Sequence, residues 1–440
     1  MNKILRINRV VKSFDKKIFV AGDKSLSIRW VLMASLSKKK STAYNLLISE
    51  DVLSAINCIK KLGSKVKLTN KKCEIIGNGL NLNFTKDLLI DAGNSGTLGR
   101  LILGLLINSK KKFKLVGDKS LSKRDFSRII NPLKKFGAKF ETKKNKLPLK
   151  MTGLDDPKPI RYFEKKGSAQ CKSAVMFAGL KAKGLTSIKA KKSRSHTEIM
   201  FKHLKIPIKI KKTKNFDYIK LKGIKKVNNL DYKIPGDISS CSFFIVLTIL
   251  ANKSKLLIKN ININESRIGV IHILRKMGAS IKIMNRKIYK GEKIGDILVK
   301  SSSNLKAINC PKHYNSSAID EFLIIFLVAA KSNGISYFKG LSELNKKESP
   351  RLIWGSKILN NMGVKNKVTK DSIKIYGNPN LKIEKKIIIK NFLKDHRIFM
   401  SSVVAALTFG GHWEIFDKSS VDTSFPSFLN KIKELGAKIR

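Results

Sequence analysis

The sequence predicts an α+β protein built from six related units along one chain. Three observations predict it: a helix-stop phrase that recurs with a near-constant period, a polar turn that opens an apolar helix with the same period, and a composition suited to buried cores. The copies lie roughly 70 to 85 residues apart, the kind of self-similarity that marks a repeat architecture. With 440 residues and 42% hydrophobic content, the chain is long enough for two or three domains and too apolar for extended disorder.

Lys3, Arg6 and Arg9 alternate with Ile4, Leu5 and Ile7 as a strand does. Gly22-Asp23-Lys24-Ser25 then forms the first polar turn, and Lys61-Leu62-Gly63-Ser64-Lys65-Val66 the first helix stop. In the stop, Gly takes the left-handed position just past the helix, the basic residues suit its negative end, and a strand follows. The pair recurs as Gly93-Asn94-Ser95-Gly96-Thr97 with Lys135-Phe136-Gly137-Ala138-Lys139-Phe140. Gly167-Ser168-Ala169-Gln170 follows, with a degenerate stop lacking Gly at His203-Leu204-Lys205-Ile206-Pro207. Next come Pro235-Gly236-Asp237-Ile238-Ser239-Ser240 with Lys276-Met277-Gly278-Ala279-Ser280-Ile281, and Ile319-Asp320-Glu321 with Asn361-Met362-Gly363-Val364-Lys365. Asp395-His396-Arg397 and Glu434-Leu435-Gly436-Ala437-Lys438-Ile439 complete the set. The turns precede runs such as 101–107, 243–250 and 322–330. Nearly all-apolar helices behind polar caps are buried helices with their N-termini facing outward. Singly these are ordinary caps; six aimed at one place would attract anions strongly.

Charge is the unusual feature. Lys+Arg 91 against Asp+Glu 31 leaves +60, which raises the question of a nucleic-acid partner. Of these cations 14 are Arg and 77 Lys, spread through every element alongside Ile and Asn, as a drift in composition would produce. No specific nucleic-acid partner is expected. No run approaches the roughly 18 apolar residues of a membrane span, and no apolar leader precedes a small-residue cleavage site. A soluble, cytoplasmic protein without membrane contact is expected. Cys58, Cys73, Cys171, Cys241 and Cys310 are odd in number and far apart, without zinc-ligand spacing, so no metal site is expected.

Because Arg is scarce, its positions carry information. Arg29, Arg100, Arg124, Arg128, Arg194, Arg267, Arg351 and Arg397 fall in or near the polar segments, and guanidinium groups grip carboxylate and phosphate in two-pronged fashion. A small, multiply charged anion is the expected ligand. Among the rare acids, Asp320-Glu321, Glu348 and Asp395 beside His396 are candidates for proton transfer, or else capping carboxylates and local ion pairs.

Gly22-Asp23-Lys24-Ser25-Leu26-Ser27-Ile28-Arg29, Gly93-Asn94-Ser95-Gly96-Thr97-Leu98-Gly99-Arg100, Gly117-Asp118-Lys119-Ser120-Leu121-Ser122-Lys123-Arg124, Ser168-Ala169-Gln170, Lys347-Glu348-Ser349-Pro350-Arg351 and Asp395-His396-Arg397 resemble, in order, the signatures of the 5-enolpyruvylshikimate-3-phosphate synthase family. The resemblance runs from about residue 7 to the C-terminus. It implies an enolpyruvyl transferase-like fold of two similar domains, each of three βαβαββ units with buried helices, an inside-out α/β barrel. The domains would be residues 22–236, and residues 1–21 plus 237–440, with hinge crossings near Ala21 and Gly236. It implies transfer of the enolpyruvyl group of phosphoenolpyruvate to the 5-hydroxyl of shikimate 3-phosphate, on the route to aromatic amino acids, with no cofactor. A monomer acting on these two small molecules is expected.

Carried over residue by residue, Lys24, Ser25, Arg29, Ser168, Ala169, Gln170, Ser193, Asp320 and Lys347 would hold shikimate 3-phosphate. Lys24, Asn94, Gly96, Arg124, Gln170, Arg351 and Arg397 would hold phosphoenolpyruvate. Asp320 would be the base for the 5-hydroxyl, Glu348 the partner in protonating the methylene carbon, and Lys24 the third catalytic group. His396 has two open roles, touching ligand or orienting Arg397. Several positions depart from the family pattern: Ala21 and Asp125 stand where Pro is usual, Ser195 replaces Asp or Pro, Pro350 replaces Asp, and Thr423 is Lys in one branch. Asp125 would place an acid beside the anion-binding Arg124, and Pro350 would alter the backbone before Arg351. A UDP-N-acetylglucosamine enolpyruvyltransferase would show Lys-Asn at Lys24-Ser25 and a reactive loop Cys. A basic nucleic-acid-binding protein would interleave exposed aromatics with its cations.

Overall fold

A computed structural model describes residues 4–80, 84 and 88–439 of the chain. Those residues contain twelve α-helices: α1 Lys24–Ala34, α2 Glu50–Lys61, α3 Gly96–Leu105, α4 Ser127–Lys135, α5 Ala169–Gly179, α6 His196–His203, α7 Ile238–Leu250, α8 Gly269–Lys276, α9 Phe322–Lys331, α10 Arg351–Asn361, α11 His396–Phe409 and α12 Phe428–Glu434. They alternate in kind. The even-numbered helices keep a wet side: α2 buries Val52, Ala55, Ile56 and Ile59 and ends on Lys60 and Lys61. Most odd-numbered helices have almost none. In α7 nearly every residue from Ile238 to Ile249 is buried, which requires neighbours on all sides. Two of its hydroxyls are satisfied along the helix itself, Ser242 Oγ donating to Ser239 O (2.7 Å) and Thr248 Oγ1 to Phe244 O (2.8 Å).

The helix stops repeat in geometry as they do in sequence. Gly63, Gly137, Gly278, Gly363 and Gly436 have φ between +79° and +110°. The degenerate copy behaves alike, with Lys205 at φ +57°. At all six ends the same two backbone bonds close the helix. At α2, for example, Ser64 N reaches Ile59 O and Gly63 N reaches Lys60 O; at α6, Ile206 N reaches Phe201 O and Lys205 N reaches Lys202 O. The helix starts repeat too: Asp23, Ser95, Ser168, Asp237 and Asp395 each accept a backbone N–H of the first turn. At α9 the capping residue is Glu321, whose carboxylate instead accepts Ser239 Oγ at 2.5 Å.

The chain divides into two units, the first made of Met1–Ala21, Pro235–Ile288 and Lys293–Arg440, the second of Gly22–Ile234 and Tyr289–Glu292. Two details differ from the expected boundaries. Pro235 and Gly236 lie in the first unit, where Gly236 N donates to Asn260 O and Gly236 O accepts Asn262 N. The turn Tyr289–Glu292 lies in the second, where Tyr289 Oη accepts Lys233 N (2.9 Å) and Glu292 Oε1 meets His196 Nδ1 (2.6 Å).

Each unit holds three small sheets. A complete repeat of the second unit runs Leu88–Asp91, α3, Phe113–Val116, α4, Lys139–Thr142, Leu149–Thr152, with the first two strands parallel and the rest antiparallel. The α5–α6 repeat follows the same course. The repeat of α1 and α2 takes its parallel strand from the other end of the unit, Tyr232–Lys233 beside Ser41–Tyr44. In the first unit Asp15–Phe19 runs parallel to Lys255–Asn262, across the whole inserted unit in sequence, and Leu5–Ile7 pairs antiparallel with Gly410–Ile415. Within the units, α3 packs on α1 and α5, and α7, α9 and α11 pack on one another. At Gly104 of α3 a Cβ would stand 2.0 Å from Ala174 O of α5, so the contact requires glycine. No described helix is long and apolar enough to cross a membrane.

Candidate active site

In the second unit the polar turns gather cations at the N-termini of α1, α3 and α5. Lys24, the first residue of α1, places Nζ 2.8 Å from Asp51 Oδ2, a carboxylate in the first turn of α2 that sequence reasoning did not single out. Arg29, one turn along α1, is only 3% exposed. Its Nη1 donates to Ser25 O (3.0 Å), and Arg194 Nη1 lies 3.5 Å from Ser25 Oγ. At the start of α3, a Cβ on Gly96 would lie 2.8 Å from both Arg100 Nη1 and Arg124 Nη1. The missing side chain is therefore what admits two guanidinium groups at a helix N-terminus, a strongly anion-attracting combination. Arg100 Nη1 also donates to Gln170 Oε1 (3.0 Å), whose Nε2 donates to Thr97 Oγ1 (3.0 Å), so the starts of α3 and α5 are tied together. Asn94 Nδ2 donates to Asp118 Oδ2 at 2.6 Å.

Ser168 caps α5 and its N–H donates to Glu164 Oε2 (2.8 Å), leaving Ala169 and Gln170 as the first residues of the helix. Ser193 Oγ is buried and finds no hydrogen-bond partner among the described residues. Asp125 does not turn to its neighbour Arg124. Its carboxylate accepts both Ser127 N (2.8 Å) and Ser127 Oγ (2.6 Å) at the start of α4.

The first unit gathers carboxylates instead. Arg351, at the start of α10 and buried to 2% exposure, is ringed by three. Nε and Nη2 grip Asp395 Oδ2 (2.9 Å) and Oδ1 (3.2 Å), Nη2 donates to Glu348 Oε2 (2.5 Å), and Nη1 lies 3.3 Å from Asp320 Oδ1. Burial by itself would lower the proton affinity of this guanidinium, but Asp395, Glu348 and Asp320 together hold it above its ordinary value. Asp320 Oδ1 also receives Lys347 Nζ at 3.1 Å, and Asp320 O accepts Arg397 Nη1 at 2.8 Å. The expected acid and base thus share one guanidinium. The fork expected for phosphoenolpyruvate is turned here onto these carboxylates.

Ser349 Oγ donates to Asp395 Oδ2 (2.8 Å), and Pro350 supplies the residue before α10. His396, whose two roles stay open, places ring Nδ1 3.3 Å from Thr423 Oγ1. A second buried network joins α7 to α9: Arg267 Nη2 donates to Asp237 Oδ1 (2.9 Å) and Ser239 Oγ (2.8 Å), and Ser239 Oγ donates to Glu321.

Comparison with known proteins bears on these constellations. Residues 9–432 match the family model of EPSP synthase (3-phosphoshikimate 1-carboxyvinyltransferase). The chain belongs to the EPSP synthase family. It is 40% identical over 440 residues to a 3-phosphoshikimate 1-carboxyvinyltransferase of Thermodesulfovibrio yellowstonii, covering 99% of this chain and 100% of that one. It is 40% identical over 422 residues to one of Ruthia magnifica subsp. Calyptogena magnifica, covering 96% and 95%. Among solved structures it is similar to the EPSP synthase of Acinetobacter baumannii, with a TM-score of 0.86, 33% identity and 99% of each chain covered. The EPSP synthase fold, a two-domain enolpyruvyl transferase fold, is therefore that of this chain, and the family is one of enzymes. Among the described residues no cluster of three or more His, Cys, Asp or Glu could hold a metal ion.

Proposed function

We propose that the protein transfers the enolpyruvyl group of phosphoenolpyruvate to the 5-hydroxyl of shikimate 3-phosphate. The observation that carries this reading is the start of α3, where absence of a side chain at Gly96 lets Arg100 and Arg124 converge beside helical N–H groups. Such a site suits a compact, multiply charged donor. Lys24, Asn94, Gly96, Arg124 and Gln170, with Arg351 and Arg397 of the first unit, are assigned to phosphoenolpyruvate. Lys24, Ser25, Arg29, Ser168, Ala169, Gln170 and Ser193, with Asp320 and Lys347, are assigned to shikimate 3-phosphate. The buried hydroxyl of Ser193 has hydrogen-bonding capacity that a phosphate oxygen would use.

In the reaction the 5-hydroxyl oxygen bonds to C2 of phosphoenolpyruvate while C3 takes a proton. In the second stage C3 gives up a proton as the C2–O bond to phosphate breaks, leaving the enol ether and inorganic phosphate. Asp320 accepts the hydroxyl proton, and Glu348 exchanges protons with C3, assisted by Lys24. Placing acid and base on one guanidinium keeps them in a fixed mutual arrangement through both stages, which is the condition for general acid–base catalysis of an addition and its elimination. Phosphate release is the test. It should require both substrates, stop when either is omitted, and survive exhaustive chelation; release without shikimate 3-phosphate would sink the reading.

A further inference from the structure

The guanidinium edge formed by Nε and Nη2 is used differently by two buried arginines. In Arg351 that edge is gripped by a carboxylate, Asp395. In Arg29 it is gripped by two hydroxyls: Nε donates to Thr197 Oγ1 at 2.8 Å and Nη2 to Ser173 Oγ at 3.1 Å. The two oxygens stand 2.7 Å apart and are themselves hydrogen-bonded. They reproduce the two-pronged geometry of a carboxylate while bringing no charge to that edge. Thr197 and Ser173 are both essentially buried, at 1% exposure each, so the clamp is held by packing and not by solvent-facing side chains. Thr197 lies in the first turn of α6, a few residues after Ser193, and Ser173 lies one turn into α5, after Ser168 and Gln170.

The residue before Ser173 in α5 and the residue after Thr197 in α6 form a second rung. Lys172 Nζ stands 2.5 Å from Glu198 Oε1, with side chains 0% and 4% exposed. The one acid adjacent to Thr197 in α6 is thereby committed to an ammonium ion. A buried pair of this kind contributes little net stability but penalises any other register of the two helices.

We propose that the Ser173–Thr197 hydroxyl pair is a positioning clamp for shikimate 3-phosphate binding: it fixes the direction of the Arg29 guanidinium without adding negative charge beside it. This rests on the reading that Arg29 meets that substrate. A carboxylate in the same place would hold the arginine equally well but would compete with the substrate's phosphate for its charge. Thr197 and Ser173 need not touch substrate themselves.

The test is steady-state kinetics with each substrate varied in turn, on wild type, Thr197→Val, Thr197→Ser and Ser173→Ala. Wild-type turnover, measured first, tests the functional reading independently of the clamp. Thr197→Val keeps shape and removes one prong, so KM for shikimate 3-phosphate should rise about tenfold, with kcat changed less than about twofold and KM for phosphoenolpyruvate unchanged. Thr197→Ser should restore the wild-type value, and Ser173→Ala should shift the same constant in the same direction. A parallel rise in both KM values, a fall in kcat alone, or a Ser variant as impaired as the Val variant would overturn the proposal. Should Thr197→Val fail to fold, Ser173→Ala decides by the same split. Failure of both to fold would also overturn it, since a clamp that serves the ligand is not what holds the unit together.

Discussion

Asp320 stands between an ammonium and a guanidinium, with Oδ1 3.1 Å from Lys347 Nζ and 3.3 Å from Arg351 Nη1. Asp320→Asn keeps the size and hydrogen-bonding outline of the side chain but cannot take a proton, so kcat should fall by about 10²- to 10⁴-fold with KM values nearly intact. Turnover near the wild-type rate would move the base to Glu348. A second residue-scale expectation concerns Lys181, whose Nζ donates to Leu105 O (2.5 Å) at the end of α3 and to Asn108 Oδ1 (2.6 Å). Burial lowers its pKa from 10.5 to about 7. Between those values the unfolded chain binds a proton that the folded chain does not, so this group makes folding stability rise as pH increases from about 7 toward 10.5. Replacing it in Lys181→Met should flatten the slope of Tm against pH in that window; an unaltered slope would remove Lys181 as its source. Much at this scale was not legible in sequence. Lys24, Glu348, Arg351 and Asp395 stand in short recognisable phrases, but the partner that fixes Lys24 and those that fix Arg29 do not. Asp51 reads as a routine first-turn acid, and the partners Ser173 and Thr197 are 144 and 168 residues from Arg29, joined only by the packing of three helices.

At the scale of elements the repeat was readable because its punctuation is local. Five of six outer helices stop on Gly, and the sixth keeps the same left-handed turn with Lys205, so the closing pair of backbone bonds dictates the conformation even where Cβ makes it costly. A different set of glycines escaped notice. Gly77, Gly153, Gly223 and Gly377 each follow the last strand of a repeat, and a Cβ on any of them would stand 2.1 Å from the carbonyl oxygen of Ser35, Ile107, Ala182 and Ser332 respectively. Single glycines after strands carry no helix-stop context, and the carbonyl they must pass lies far away in sequence. Gly104 is the contact with a functional consequence. Gly104→Ala would force α3 from α5, because the atom in the way is backbone. Stability should fall by about 1–3 kcal/mol, read as a lower Tm. Because α3 begins with Gly96, Thr97 and Arg100, KM for phosphoenolpyruvate should rise with it. A variant with unchanged Tm would show that the two helices can part at no cost.

Over the whole molecule, the net charge of +60 acts against compaction through self-repulsion. The Debye length falls from roughly 30 Å at 0.01 M salt to about 8 Å at physiological ionic strength, so Tm should rise on adding NaCl through that range. Binding of duplex DNA, if driven by scattered lysines alone, should be weak and collapse steeply over the same titration. A Tm that falls with salt would mean that favourable ion pairs outweigh the repulsion.

The strand exchanges give the chain an order of completion during synthesis. The sheet of α1 and α2 closes as soon as Tyr232–Lys233 emerges from the ribosome, so the inserted unit can fold while the rest is still being made. Glu292 reaches His196 only later, as a final fastening. Leu5–Ile7, made about 400 residues ahead of its partner, must wait for Gly410–Ile415 before the pair can form. Until then this segment is an unpaired, partly apolar strand, and guarding it against premature pairing falls to chaperones or to its own basic residues, Arg6 and Arg9.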